Sequence, residues 1–552
     1  VTRWFKSGAP WIWLTSGAVS ISLISVLGIL LLIGWKGLAY FWPAPLYQWQ
    51  GSEHGSANSI IVGQLYQAET VSVERLLARD IPLSKSALDA GEVERLNIKI
   101  ANRERNQADF ISLLADGLSD PTQPIDWAVI EREHNGDFFG QPMGYGIDTQ
   151  LSYHQLQPLL RAGTERVELI RKEIDNISEN QLRGYSASVE ALRLERRKHV
   201  LNDTLTEERQ SAYESQTARI IALSEMAEEN LSLLRRELRE EILIVKDMHG
   251  DLIELPMSEV LDVWYPNRMN TLEKLGHWVV QLGKFLSDSP REGNSEGGVF
   301  PAIFGTVFLV MVMSIVVMPL GVVAAIYLNE YAKNNALTRM IRIAVINLAG
   351  VPSIVYGVFG LGFFVYTIGG TLDSLFYSES LPTPTFGTPG LLWSALTLAL
   401  LTLPVVIVAT EEGLTRIPSS VRQGSLALGA TQLETLLRIV IPMASPAIMT
   451  GLILAVARAA GEVAPLMLVG VVKLAPTLPI DSQFPFVHLD RKFMHLGFHI
   501  YDVGFQTPNI EAARPLVYAT SFLLVTVIVG LNLTAIGIRN NLREKYRTLG
   551  QD

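Results

Sequence analysis

The 552-residue chain has no cysteine, which excludes disulfides, zinc–thiolate sites and thiol nucleophiles. Its second lack is regional. From residue 43 to residue 298 there is no apolar run long enough to cross a bilayer core of about 30 Å, which takes about 20 helical residues. A third lack is the phosphate-cradling pattern Gly-x4-Gly-Lys-Ser/Thr. Gly283-Lys284 comes nearest, but Phe285 follows, so the chain is not read as hydrolysing a nucleotide itself. Finally, residues 369–390 carry neither Lys nor Arg.

What is present divides the chain in two. The net charge is -10, yet 48% of the residues are apolar. Residues 51–298 hold 42 acidic against 27 basic side chains, and the remainder holds 13 against 18. One stretch is soluble and acidic, and the rest is apolar and mildly basic. The chain starts at Val1 rather than Met, so a few N-terminal residues are expected to be missing.

Six apolar runs are expected to span a membrane: Trp11–Trp35, Val299–Leu328, Ile343–Ile368, Leu391–Thr410, Ile448–Val472 and Leu516–Ile538. Arg3 and Lys6 before the first run also suit a cleaved signal peptide. The run is too long for that, and Trp11, Trp13, Trp35, Tyr40 and Trp42 suit interfacial anchors, so a retained helix is preferred. Basic residues in the short loops set the orientation. Lys333, Arg339 and Arg342, then Arg416, Arg422 and Arg438, and the tail residues Arg539, Arg543, Lys545 and Arg547 all fall on one side. Both termini are therefore expected in the cytoplasm, with the loop at 473–513 (Lys473, Arg491, Lys492) a mild exception.

Residues 50–298 then lie outside as an inserted α+β domain. Ile60–Tyr66 and Asn97–Ile100 read as strands, and Ala128–Glu131 leads into Asn135-Gly136, a type I′ turn signal. Ile242–Lys246 and Leu252–Leu255 read as a second hairpin. Residues 160–240 repeat apolar positions at helical spacing (Leu182, Tyr185, Val189, Leu192; Ile220, Leu223, Ala227, Leu231, Leu234, Leu238). Two long antiparallel, coiled-coil-like helices fit this best, broken at Asn202-Asp203-Thr204 with Glu207 in a capping-box position. The basic cluster Arg193, Arg196 and Arg197 is read as a solvated helix face rather than a nucleic-acid site. The domain order is thus 1–49 with the first span, 50–298 inserted, 299–542 as a five-span core and 543–552 as a tail.

The loop from Glu411 to Pro446 is too long for a simple connection. It reads as a helix over Ser419–Leu428, then Gly429, then an amphipathic stretch through Leu433, Leu436, Leu437 and Val440 lying along the membrane. In the fifth span Arg458 and Glu462 are spaced to share one helix face. A charge near mid-bilayer costs about 2.5–3.5 kcal/mol, so it needs a partner or a water-filled cavity. Either a structural ion pair or an anion contact would answer that need. Pro352 and Ser353 interrupt the third run, which suits a helix broken along a substrate path as well as a packing kink. His488, His495 and His499 invite a metal reading, but packing in an external loop is preferred.

Ala427-Leu428-Gly429-Ala430-Thr431 with Ile441-Pro442 and Pro446 resembles the coupling loop of ABC-importer permeases. Leu348–Gly357 (LAGVPSIVYG) and Ala457–Leu466 (ARAAGEVAPL) resemble the phosphate-specific branch and its A-type permeases, over residues 299–547. Where the family's loop has Glu-Ala-Ala, this chain has Gln423-Gly424-Ser425, and the compact members lack the insertion.

The resemblance implies an α-helical membrane protein of the type I importer class with six transmembrane helices and no enzymatic site of its own. It implies a bacterial inner-membrane location, a homologous C-type permease as partner, an ABC ATPase dimer that uses ATP, and a periplasmic phosphate-binding protein. A phosphate-signalling regulator is a further possible partner. The coupling loop would comprise Arg422, Gln423, Gly424, Ser425, Ala427, Leu428, Gly429, Ala430, Thr431 and Pro442. The pathway would involve Arg458, Glu462, Pro352 and Ser353, with Arg458 contacting the anion. The chain itself would bind no cofactor, no metal and no nucleic acid, only its partners and membrane lipid. The competing readings are a permease for sulfate or molybdate, and a membrane receptor with a coiled-coil sensor.

Overall fold

The computed structural model describes residues 9–53, 56–78, 83–148, 150–294, 296–333, 335–507 and 510–547. Arg3, Lys6 and the last five residues of the tail lie outside the described residues. The chain forms two compact units. One is Phe41–Lys284; the other joins the residues before Phe41 to everything from Phe285 onward.

Helix α1 (Ala9–Ala39) belongs to the second unit. Its apolar side chains stay exposed along most of its length (Ile24 is 68% and Leu31 72% exposed), as suits a span whose solvent is lipid.

Within Phe41–Lys284 lie two antiparallel sheets. Strands β1 (Tyr47–Glu53), β2 (Ser56–Ser72), β3 (Glu92–Lys99) and β4 (Phe110–Leu114) form a meander in chain order. Its core is Trp49, Ile61, Leu96, Ile98 and Ile100. The second sheet comprises β5 (Ala128–Arg132), β6 (Phe138–Tyr145), β7 (Ile242–Lys246), β8 (Leu252–Pro256) and β9 (Val260–Trp264), in the order β8-β7-β6-β5-β9. The β5–β6 turn is of the expected kind: Asn135 and Gly136 both hold positive φ, 66° and 71°. Strand β9 has no counterpart in the sequence reading.

A helical hairpin is inserted between the neighbouring strands β6 and β7. Helices α2 (Tyr153–Asn176) and α3 (Arg183–Leu201), joined by a wider helical turn, form one arm, and α4 (Glu207–Glu240) forms the other. Its root is packed: Leu156, Leu160, Val167 and Leu238 join Ile130, Phe138, Leu243 and Val245 of the sheet. Its far half is not, and α3 buries no residue. The cap of α4 differs from expectation. Thr206 accepts from the Arg209 N–H at 3.3 Å, and Glu207 is the first helical residue. The extended backbone of Thr206 (φ -92°, ψ 159°) suits an N-cap. Helix α5 (Thr271–Ser287) follows β9.

In the second unit come α6 (Phe300–Ile326), α7 (Ala336–Leu348), α8 (Ser353–Phe359, continuing helically to Phe376), α9 (Leu391–Thr415), α10 (Ser419–Ala427), α11 (Ile441–Gly461), α12 (Leu496–Phe505) and α13 (Ile510–Arg547). Among the described residues six helices are long and apolar enough to cross a membrane: Trp11–Ala39, Phe300–Tyr331, Ser353–Phe376, Leu391–Thr415, Gln432–Gly461 and Ala513–Glu544.

Two spans sit elsewhere than expected. The third starts at Ser353, because Pro352 caps it and disfavours helix in the residue before. The apolar residues from Ile343 to Leu348 belong instead to the separate amphipathic helix α7. The fifth runs from Gln432 to Gly461, so the stretch through Leu433 and Val440 is its opening turns, not a helix along the membrane.

Helix α9 is the hub of this unit. Leu391, Ala395 and Leu398 pack with Leu309, Val310 and Met313 of α6 and Ala455, Val456 and Ala459 of α11. Small residues permit the approach. A Cβ on Gly451 would come within 2.9 Å of the Ala409 Cβ, and one on Gly37 of α1 within 2.9 Å of the Ala519 Cα in α13. Two buried hydroxyls of α9 bond within their own helix: Thr397 donates to Trp393 O (2.7 Å) and Thr402 to Leu398 O (2.8 Å).

Candidate functional site

Two regions hold the residues singled out from the sequence. In the first, Arg458 occupies the last turn of α11 and Glu462 lies just past its end, in extended backbone (φ -84°, ψ 126°). The pair therefore does not share a helix face. Pro465 lies three residues on and disfavours helix at Ala464, so the chain turns before it. The ion pair survives at 3.5 Å between Arg458 Nε and Glu462 Oε1, with both side chains partly exposed. Among the described residues the guanidinium has no other hydrogen-bond or ion-pair partner. Its remaining planar donors are free for an oxyanion.

The segment after Pro352 comes to the same place. Gly357 lies against Pro465, where a Cβ would approach the proline Cα to 2.7 Å. Tyr356 donates to Leu348 O at 2.6 Å, bridging the break between α7 and α8. Pro352 and Ser353 themselves form the start of a span rather than an interruption within one.

The second region is α10 and the turn after it. Gln423, Gly424, Ala427, Leu428 and Gly429 are exposed, and Leu428 is 92% exposed. Gly429 holds φ 90°, which favours glycine. Beyond half-buried Ala430, Thr431 and Glu434 form a reciprocal capping box that starts the fifth span. Pro442 lies in the first turn of α11. Two residues of the expected loop turn inward. Arg422 donates to Ile417 O, Leu414 O and Glu330 Oε1, each at 2.8 Å, and Ser425 is hydrogen-bonded to Thr435 at 2.8 Å. They brace the loop against the end of α9, the turn after α6 and the opening turns of the fifth span, leaving an apolar tip on a fixed frame.

Residues 317–547 match the family described as "Binding-protein-dependent transport system inner membrane component". The chain is 39% identical over 309 residues to the phosphate transport system permease protein PstA 1 of Mycobacterium tuberculosis, covering 55% of this chain and 90% of that protein. It is 31% identical over 257 residues to the probable ABC transporter permease protein YqgI of Bacillus subtilis, covering 46% and 81%. To the PstA protein of Yersinia pestis it is 30% identical over 257 residues, covering 46% and 77%. The chain belongs to this permease family.

The match to the family begins within α6 and takes in both regions of this permease; the unit Phe41–Lys284 lies outside it. The permease also holds polar residues that the sequence reading passed over. Asp373 is buried and accepts from the N–H groups of Phe386 (2.8 Å) and Gly387 (2.7 Å), while Trp393 Nε1 donates to Phe386 O. The signal was the absence of Lys and Arg from 369–390: with no local cation, a buried carboxylate there must find backbone donors.

Asn294 Nδ2 donates to Asp502 Oδ2 (3.1 Å) and Lys473 O (2.9 Å), and Lys473 Nζ lies 3.1 Å from the same carboxylate oxygen. His495, which caps α12, and His499 within it are buried, and burial lowers both imidazoles to about 4. His488 pairs with Asp481 at 3.0 Å. Among the described residues no group of three or more His, Asp or Glu could hold a metal ion.

Proposed function

We propose that this permease is one subunit of an ATP-driven importer of inorganic phosphate. It lines the pathway together with a homologous C-type permease. An ABC ATPase dimer docks on α10, and a periplasmic phosphate-binding protein delivers the anion. The likeness to permeases named for phosphate transport, across most of their length, carries the reading.

The geometry supports it at two points. Arg458 keeps unused planar donors of the kind that bind phosphate oxygens in pairs. Glu462, 3.5 Å away, competes for the guanidinium when the site is empty, so the anion is held transiently. Leu428 and its exposed neighbours offer an apolar knob for a groove on the ATPase. An even number of spans would bring both ends out on one side, and the basic loops favour the cytoplasm for that side. ATP hydrolysis on the partner drives alternating access, and no bond of the substrate is made or broken.

Uptake of radiolabelled phosphate by the full complex in liposomes tests this. Phosphate should compete with the label and sulfate and molybdate should not; equal competition by either would overturn the cargo assignment. Arg458→Gln should assemble normally yet lose about tenfold or more of uptake, equivalent to about 1.4 kcal/mol or more. Near-normal uptake would leave the pair a purely structural one. Leu428→Asp should lose the ATPase on co-purification.

A further inference from the structure

Helix α5 is amphipathic in the inverted sense. Its polar face is turned onto its own unit: Lys284 pairs with Asp262 (2.8 Å) and Glu131 (3.5 Å), Gln281 donates to Glu131 (3.4 Å), and His277 lies against Trp264 with ring centroids 4.6 Å apart. The opposite face carries Leu272, Leu275, Val279, Val280 and Leu286 at helical spacing, with Gly276 and Gly283 between them. The first four are 80%, 48%, 56% and 53% exposed. A helix on a water-soluble surface points its apolar stripe inward. The exposure here instead approaches that of the lipid-facing side chains of α1.

The chain passes from α5 to a membrane span through a short connection. Phe285 O accepts from Val299 N at 2.9 Å and Asp288 O from Phe300 N at 3.2 Å, so the segment after Lys284 folds back on the start of α6. A paired strand of two residues (Pro290–Arg291 with Glu296–Gly297) closes the connection. The stripe therefore ends where the chain enters the bilayer. Its composition also fits lipid. It holds only Leu, Val and Gly, without the exposed Tyr, Trp or Arg that mark the centres of protein interfaces.

We infer that α5 is an interfacial helix whose Leu272–Leu286 stripe is embedded in the acyl–headgroup boundary of the membrane. Such a helix lies in the membrane plane with its apolar side sunk about 5–10 Å. It gives the junction between the span and the soluble unit a lipid anchor of its own. The inference rests on the chain being a membrane protein and is independent of its cargo.

The absence of cysteine makes the test direct. Single substitutions Leu275→Cys and Val279→Cys, with Leu252→Cys on the exposed β7–β8 hairpin as a water-facing control, are labelled with an environment-sensitive fluorophore in the full complex in lipid nanodiscs. Both α5 probes should emit to the blue of the control. They should lose about half or more of their intensity to lipids spin-labelled near the top of the acyl chain, the depth of an interfacial helix, and resist aqueous iodide. Iodide quenching equal to the control, with no quenching by lipid, would overturn the inference. Protection from both quenchers would overturn it too, because a protein surface would then cover the stripe. Two probe sites and a check of complex assembly separate a local labelling artefact from a true result.

Discussion

The two units differ in how they bury polar groups in their cores. In the membrane unit the buried hydroxyls of Thr306, Thr397, Thr402 and Thr520 each bond a carbonyl four residues back in their own helix. In the inserted unit a buried polar group reaches across the fold. Arg132 is 2% exposed and donates to both oxygens of Glu104 (2.7 and 3.0 Å) and to the carbonyls of Gly136 and Asn135, with its guanidinium 5.2 Å from the Phe138 ring. Lipid offers no water to a helix that opens, so hydroxyls in the spans bond locally and helices meet through small residues. Cross-segment bonds such as Leu496 N–H to Thr306 Oγ1 (2.9 Å) join span ends. The soluble unit can hold its strands together with side-chain bonds that water would otherwise compete for. Packing errors should therefore be costliest in one unit, and lost charges in the other.

Gly451→Leu puts a branched side chain where α11 meets Ala409 of α9. Loss of both assembly and uptake is expected, read by size-exclusion chromatography and transport; an assembled, active complex would break the contrast between the units. Arg132→Ala removes the guanidinium's bonds to Glu104, Gly136 and Asn135 and its packing on Phe138, and should cost the inserted unit about 1.5–3 kcal/mol. Hydrogen exchange in the full complex should show β5 and β6 deprotected while α9 and α11 stay protected.

His495 and His499 give a smaller, pH-dependent effect at one end of the membrane unit. Their folded values, about 4, lie below the ordinary 6.5 because burial disfavours the charged ring. The unfolded chain therefore binds more protons between those values, and stability falls as pH drops below 6.5. Each should cost about 2 kcal/mol at pH 5, and His499→Gln should flatten the dependence of the thermal midpoint on pH. The smallest effect is at the hairpin tip. Thr206→Ala removes the cap of α4 for about 1 kcal/mol, seen as faster exchange at Arg209 with transport unchanged.

Much of this fold was legible because its signals are local. Apolar length marks the spans, Asn135-Gly136 marks a turn, and Gly429 a left-handed corner. What failed was where a run of apolar residues stops being one helix. Ile343–Leu348 is as apolar as a span, yet it forms the apolar face of α7, since Pro352 ends what hydropathy alone would continue. Glu462 reads as helical by spacing, but Gly461 and Pro465 turn the chain before it. Of the site residues, Leu428 and Gly429 are exposed at the turn after α10. Arg422 and Ser425 turn inward because their partners, Glu330 and Thr435, lie far along the chain or across a turn. The Asn294–Lys473–Asp502 bonds were illegible for the same reason: they join three segments separated by long stretches of sequence.

Strands β6 and β7 are neighbours in the sheet, with Tyr145 paired to Leu243, although the whole helical hairpin lies between them. Closing so long a loop as a flexible coil would be entropically slow, because the two ends must find each other by diffusion. Helical arms alter that search. Each forms from contacts between near neighbours in the sequence within about a microsecond, and zipping α2 and α3 against α4 returns the chain to within one strand spacing of its start. The hairpin, with arms about 50 and 70 Å long from the rise of an α-helix, thereby turns a pairing between distant parts of the chain into a local event during folding. Its length can change by whole turns in both arms without disturbing a single strand register.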